Sequence, residues 1–160
     1  MGLHLLGNRL PQKWTNVRNV TSTRPKPSSH ADYFLRWDKR LEWVDEDIQS
    51  LTLALSATIE DSQSDVIGKL RGKYYCFYRG RPCSRSIFVA LLLFKFSLGV
   101  RIKVDPFSFK DPQKWTGEKI YRNWFFPKGP EREFRIDAKE QIAYAMKLIK
   151  QSYDLATFSV

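Results

Sequence analysis

The chain has 160 residues, 42% of them hydrophobic and 14% aromatic, which is enough to build the core of one domain and excludes a wholly disordered chain. Its net charge of +10 favours polyanionic partners: nucleic acid first, then an acidic protein or an anionic membrane surface. Two cysteines and two histidines are too few for a disulfide scaffold or a metal site, and no cofactor is expected.

Residues 1–33 are expected to form a basic extended arm or linker. The stretch 11–29 is poor in apolar residues, and Arg-Pro-Lys-Pro at 24–27 favours extended backbone. Its candidate phosphate contacts are Arg18, Arg24 and Lys26. The N-terminus lacks the apolar core of a secretory signal, so we expect a cytoplasmic protein. Because the segment before Asp32 is basic and contains no acid, an organellar location is the alternative.

Residues 34–157 are predicted to form one domain, followed by a short tail at 158–160. Asp45-Glu46-Asp47 places negative charge at a helix N-terminus, and apolar residues then recur at helical spacing from Ile48 to Ile59. The first helix is therefore acidic and amphipathic. The aromatic-rich stretch 73–78 is predicted to be a strand, and a turn follows at 79–82.

The apolar run 87–94 predicts a buried strand, since its eight residues fall short of the roughly 20 that a membrane span requires. A break is expected near 97–99. In the next strand, at 100–104, the apolar residues alternate with Arg101 and Lys103, which places these cations on the face opposite the core. A long loop is expected from Asp105 to about Pro130.

The C-terminal part is predicted to contain a strand at 133–136 and a helix capped by Asp137 with Glu140 three residues on. The buried stripe of this helix is expected to be Ile142, Ala145, Met146, Ile149 and Tyr153. Sequential strands with helices before and after them predict an α+β fold: a small, mostly antiparallel sheet of four or so strands, with an N-terminal and a C-terminal helix packed on one face.

Positive charge is concentrated in the middle of the chain. Residues 66–130 contain fourteen basic and three acidic residues, whereas residues 38–65 contain two basic and eight acidic ones. Within this basic part, aromatic and cationic residues interleave, as in proteins that stack unpaired bases and bind phosphates. The candidates there are Lys114, Trp115, Lys119, Arg122, Trp124 and Lys128. The alternative is that the rings fold back over the sheet.

Two further groups of cations are candidates for nucleic-acid binding. The first lies around the predicted turn, where guanidinium groups can bind phosphate or carboxylate: Arg79, Arg81 and Arg85. The second is a possible stripe along the sheet: Lys95, Arg101 and Lys103. The alternative for the turn is a solvated charged loop.

Several segments together resemble an uncharacterised bacterial and archaeal family often labelled predicted transport protein, which is found beside nuclease-like and restriction-type modules. They are the acidic helix, residues 73–79, the strand around Phe88, residues 98–106 and the stretch 143–153. The family usually has a Gly-His-Trp-Gly-like loop, to which only Trp124 corresponds here. The resemblance implies a helix-flanked antiparallel fold and no established activity.

These observations predict a non-catalytic nucleic-acid-binding accessory protein that contacts mainly the phosphate backbone. The alternative is a protein–protein assembly subunit of a larger nuclease or restriction-type complex, with the acidic helix or the arm meeting the partner. A metal-dependent nuclease is the least favoured hypothesis, because the carboxylates at 105, 111, 118, 131 and 133 lack the strand-borne spacing of such sites, and the Asp-Pro pairs are typical of turns.

Overall fold

The computed structural model describes residues 37–117, 121–122 and 130–158. Helix α1 spans Trp37–Trp43 and α2 spans Glu46–Ser62. The strands are β1 Val66–Arg71, β2 Tyr74–Arg79, β3 Ile87–Phe94, β4 Ser97–Lys103, β5 Tyr121–Arg122 and β6 Pro130–Ile136. A 3₁₀ turn at Lys139–Gln141 leads into α3, Ile142–Leu155.

The strands form one antiparallel sheet in the order β1-β2-β3-β4-β6-β5. The first four follow one another through short turns, because their apolar segments are separated by only a few turn-forming residues. Strand β6 then pairs with β4, so that Arg101 lies opposite Glu133 and Lys103 lies opposite Glu131. This pairing joins segments about thirty residues apart and extends the sheet beyond β4, with the short strand β5 at the edge.

All three described helices pack on one face of the sheet, here called the helix face. Its core contains aromatic residues from α1, β2 and β3, including Trp37, Tyr75, Phe77 and Phe88. The rings of Trp37 and Tyr75 lie 5.6 Å apart, and those of Tyr75 and Phe77 lie 5.3 Å apart with nearly perpendicular planes. Aromatic pairs of this geometry are favourable beyond the area they bury.

A buried serine ties α3 to two strands on the helix face. The Ser152 hydroxyl donates to the Phe88 carbonyl oxygen in β3 and accepts from the Lys103 backbone N–H at 2.8 Å. Since Ser152 is fully buried, these bonds satisfy polar groups that would be costly to leave unpaired. The contact fixes α3 across β3 and β4.

The opposite side of the sheet, here called the back face, carries a second and smaller buried cluster. Its members are Tyr74, Cys76, Tyr78, Ile87 and Ala90. Because side chains alternate along a strand, Arg101 and Lys103 of β4 also point to this face, as the alternation at 100–104 predicts. Both faces of the central strands are therefore apolar in part.

The loop after β4 is held against α3 by side-chain hydrogen bonds. Asp105 accepts from the backbone N–H of Phe107 at 3.2 Å, and the Gln151 amide both donates to and accepts from the backbone of Lys110. Asp111 accepts from the Tyr144 hydroxyl, and from the Thr116 backbone and side chain, at 2.7 Å each. The turns predicted at the two Asp-Pro pairs thus form an ordered strap along α3.

The α+β fold, with its antiparallel sheet and flanking helices, is confirmed, although the sheet has more strands than predicted. The acidic residues 45–47 lie at the N-terminus of α2 as predicted, and Asp45 caps this helix by accepting from the Asp47 N–H at 3.0 Å. Other details were wrong: α1 and β1 were not predicted, and the break expected at 97–99 is a turn at residues 95–96. The last helix begins at Ile142. The side chain that accepts from the backbone N–H groups of Asp137 and Ala138 belongs to Gln141 and not to Glu140.

Within the ranges that the structure describes, no helix is both long and apolar enough to cross a membrane.

Candidate nucleic-acid interface

Cations and aromatic rings meet repeatedly on the back face and at the hairpin beside it. The Lys73 ammonium lies 5.5 Å from the centre of the Tyr74 ring, and the Arg101 guanidinium lies 5.6 Å from the same ring. At the β3–β4 turn, the Lys95 ammonium is 5.2 Å from the Phe96 ring. Such pairs are attractive because a ring face is electron-rich.

The closest of these pairs joins β3 to β6 across a glycine. The guanidinium carbon of Arg135 lies 3.9 Å from the centre of the Phe94 ring. A Cβ on Gly99 of β4 would lie only 2.8 Å from Phe94 Cε2, so the absence of a side chain lets the ring cross β4 and reach Arg135. Arg135 itself is exposed, and Phe94 is half-buried.

Exposed cations border the buried centre of the back face. Lys69 lies on the edge strand β1, Lys73 lies in the β1–β2 turn, Lys95 lies in the β3–β4 turn and Arg135 lies on β6. All four are exposed. Of these, only Lys95 was among the sequence-based candidates. Gly99, which interrupts the alternation of β4, is the sequence feature that indicates a close approach of another group to this strand.

The predicted stripe of Lys95, Arg101 and Lys103 is not a uniform exposed surface. Lys95 is exposed, but Arg101 is only 5% exposed and its Nη2 donates to Glu133 Oε2 at 2.7 Å. Lys103 is half-buried and lies opposite the buried Glu131. The two strand cations therefore face carboxylates of β6, a pairing that depends on the register of a distant strand.

The three arginines around the β2–β3 turn occupy different environments. Arg79 contacts Asp65 at 3.4 Å, and its guanidinium lies 4.7 Å from the Tyr153 ring, which links β2 to α3. Arg81 and Arg85 are exposed. Their backbone carbonyl groups accept from the Ser86 hydroxyl and the Thr157 N–H, respectively. Of the three arginines, Arg81 and Arg85 are therefore the two whose side chains are exposed to solvent.

Trp115 packs inward, which is the alternative noted for the aromatic rings of this loop. Its ring lies 4.5 Å from that of Tyr144 and 6.2 Å from that of Phe134. The adjacent Lys114 is exposed and has a backbone φ of 55°. The other candidates of this segment and of the arm lie outside the described residues, or have side chains that do: Lys119, Arg122, Trp124, Lys128, Arg18, Arg24 and Lys26.

Among the residues that the structure describes, the rings most open to solvent are ones that the sequence pattern did not single out. Phe96 is 67% exposed in the β3–β4 turn, and Phe107 is 99% exposed on the loop capped by Asp105. Trp43 at the end of α1 is 60% exposed. These rings are single exposed residues, and single exposed apolar residues are common on protein surfaces, so their exposure alone does not identify a contact site.

Of the two cysteines, Cys83 is exposed and Cys76 lies within strand β2. Cys76 is fully buried, and this burial raises the pKa of its thiol to about 12. In the part of the chain from 37 to 158 that the structure describes, no group of three or more His, Cys, Asp or Glu residues could hold a metal ion.

A groove of about 320 Å³ lies between the end of α2 and α3. Its floor is apolar and includes Met146 and Ile149, with Lys147 and Lys150 beside it.

Comparison of the chain with protein-family models, curated proteins and solved structures finds no match. The family resemblance noted from the sequence therefore stays a hypothesis.

Proposed function

We propose that this is a non-catalytic, cytoplasmic nucleic-acid-binding accessory protein, which contacts mainly phosphate groups through cations that border the back face. The observation that supports it best is the repeated pairing of lysine or arginine with an aromatic ring there, notably Arg135 with Phe94 and Lys95 with Phe96. Such pairs offer charge to the backbone and ring faces to bases. An organellar location is the alternative that the basic N-terminus leaves open.

The four exposed cations that border the back face are available to bind phosphate. Lys69, Lys73, Lys95 and Arg135 form no salt bridge with another residue of the described ranges, whereas Lys150 on α3 is paired with Asp154 at 3.2 Å. Phosphate binding releases condensed counterions in proportion to the number of neutralised phosphates. The four cations should therefore contribute measurably to the salt dependence of binding.

The test compares two variants with the same change in net charge. In one, Lys69, Lys73, Lys95 and Arg135 are replaced by glutamine; in the matched control, the replaced residues are the exposed Lys110, Lys139, Lys147 and Lys150. With labelled oligonucleotides, the first variant should reduce the slope of log K against log salt by up to about 2.8 for single strands and about 3.6 for duplex DNA, and the control by much less. Equal losses from both variants, or wild-type binding that is undetectable or independent of salt, would contradict the proposal.

A second candidate function, assembly with another protein, is favoured by the surface around Trp43. This ring is 60% exposed and lies close to exposed acidic residues in α1 and at the start of α2: Glu42, Asp45, Glu46 and Asp47. Aromatic residues are enriched at protein interfaces, and the acids would suit a basic partner. Such a partner would belong to a nuclease or restriction-type complex if the family resemblance holds.

For the assembly hypothesis, we expect a protein captured by the wild-type chain to stay bound after nuclease treatment and to be lost with Trp43→Ala. Trp43→Phe should retain it, because the aromatic surface is kept. Capture that disappears on nuclease treatment, or that survives Trp43→Ala, would argue against this surface.

A further inference from the structure

The β3–β4 hairpin carries two rings, Phe94 and Phe96, each of which is paired with a cation. Lys95 and Phe96 are the two turn residues, flanked by the paired residues Phe94 and Ser97. The turn is held in place from the helix side, since the backbone N–H of Asp45 donates to the Lys95 carbonyl oxygen at 3.0 Å. The 67% exposed ring of Phe96 therefore sits on a fixed backbone.

The second pair extends the same surface onto the back face. The Phe94 ring crosses Gly99, and the guanidinium of Arg135 lies at 3.9 Å from its centre. A guanidinium plane resting on a ring is itself a surface on which a base can stack. Glu133, the neighbouring acid on this face of β6, is already paired with Arg101. Arg135 is thus left to interact with an incoming ligand.

From this geometry we infer, resting on the proposed function, that the hairpin binds unpaired nucleotides of a single-stranded nucleic acid by base stacking on Phe96 and on the Phe94–Arg135 pair. The bases of an intact duplex are stacked on one another and do not offer free faces to such rings. An apolar pocket of a protein partner fits less well, because it would have to desolvate Lys95 and Arg135 without compensating charges.

The test uses fluorescently labelled U12 and dT12 strands and a 12-base-pair DNA duplex, each titrated at several salt concentrations. Phe96→Ala should weaken binding to both single strands by about 5- to 100-fold, leave the salt slope unchanged and alter duplex binding less than twofold. Lys95→Gln should instead lower the salt slope for single strands by about 0.7. Phe96→Tyr should restore single-strand binding.

The matched control is Phe107→Ala, which removes a ring that is 99% exposed at the other end of β4 and should change none of these affinities. Gly99→Ala is a second test, since the added Cβ would displace the Phe94 ring, and it should also weaken single-strand binding. The fluorescence anisotropy of an end label measures the affinity of each of these complexes.

The outcomes separate this inference from the function on which it rests. If the wild-type chain binds strands and duplex equally, or if Phe96→Ala binds U12 and dT12 as tightly as wild type, the stacking role is refuted while phosphate binding stands. If Phe107→Ala causes the same loss as Phe96→Ala, the effect is not specific to the hairpin and the inference also fails. Absence of wild-type binding to every oligonucleotide refutes the proposed function itself.

Discussion

Replacement of Arg101 by methionine should lower the free energy of unfolding by about 3 to 5 kcal/mol, because it leaves the Glu133 carboxylate without its partner in a poorly solvated site. The Arg101 side chain is 6% exposed and that of Glu133 is 18% exposed, with 2.7 Å between Nη2 and Oε2. Methionine keeps most of the volume and the packing on Tyr74. Urea denaturation monitored by circular dichroism measures the change.

The control for this prediction is the double variant Arg101→Met with Glu133→Met. It should recover at least half of the lost stability, because a buried pair replaced by apolar residues of similar volume is often close to neutral. A single variant as stable as wild type would show that the pair contributes little. The single variant Arg101→Met also tests whether Arg101 binds phosphate, as the sequence pattern predicts. We expect the salt slope of nucleic-acid binding to stay unchanged in this variant, whereas loss of a phosphate contact would lower the slope by about 0.7 to 0.9.

Asp111→Asn should lower the free energy of unfolding by about 2 to 3 kcal/mol, since the carboxylate accepts from Tyr144 and twice from Thr116. An asparagine has one amide oxygen and would face some of these donors with its NH₂ group. Hydrogen exchange of residues 110–116 should become faster than in wild type, because the strap is then held less firmly against α3. Asp154→Asn, which removes an exposed acid paired with Lys150, should change stability by less than about 0.5 kcal/mol.

The contribution of Asp111 should also depend on pH. Partial burial disfavours its charged form, but the hydrogen bonds from Tyr144 and Thr116 outweigh this and hold the pKa of the carboxyl below its ordinary value. A lowered pKa means that the stabilisation is complete above about pH 4, the value of the unfolded chain, and is lost as the pH falls through the folded-state pKa. The gap in stability between wild type and Asp111→Asn should therefore narrow in acid; a gap that is constant down to about pH 2 would contradict this account.

Local patterns predicted much of the fold. The acids before Ile48 and the helical spacing after it fix the start of α2, and the alternation at 100–104 correctly assigns Arg101 and Lys103 to the face away from the helix-side core. Strand β1 escaped prediction because its sequence, Val-Ile-Gly-Lys-Leu-Arg, has a glycine and no clear alternation. Strand β1 is recognisable mainly through its pairing with β2.

The candidate site depended more on long-range pairing, which a single sequence does not reveal. The neutralisation of Arg101 by Glu133 requires the register of strands separated by a long loop. Trp115 and Phe96 are both aromatic residues beside a lysine in the sequence, yet one packs against Tyr144 and the other faces solvent. Composition alone predicts a basic and aromatic surface, but the tertiary fold decides which rings form it.

The approach of Phe94 to Gly99 has a consequence for how this sequence can change over time. A side chain at position 99 is excluded only while a ring from position 94 lies across β4, because a Cβ at position 99 would come within 2.8 Å of Phe94 Cε2. Replacement of the ring by a small residue would remove the obstacle and leave a gap that a larger residue at 99 could fill. The two positions should therefore vary together among related sequences, with glycine at 99 accompanying an aromatic residue at 94.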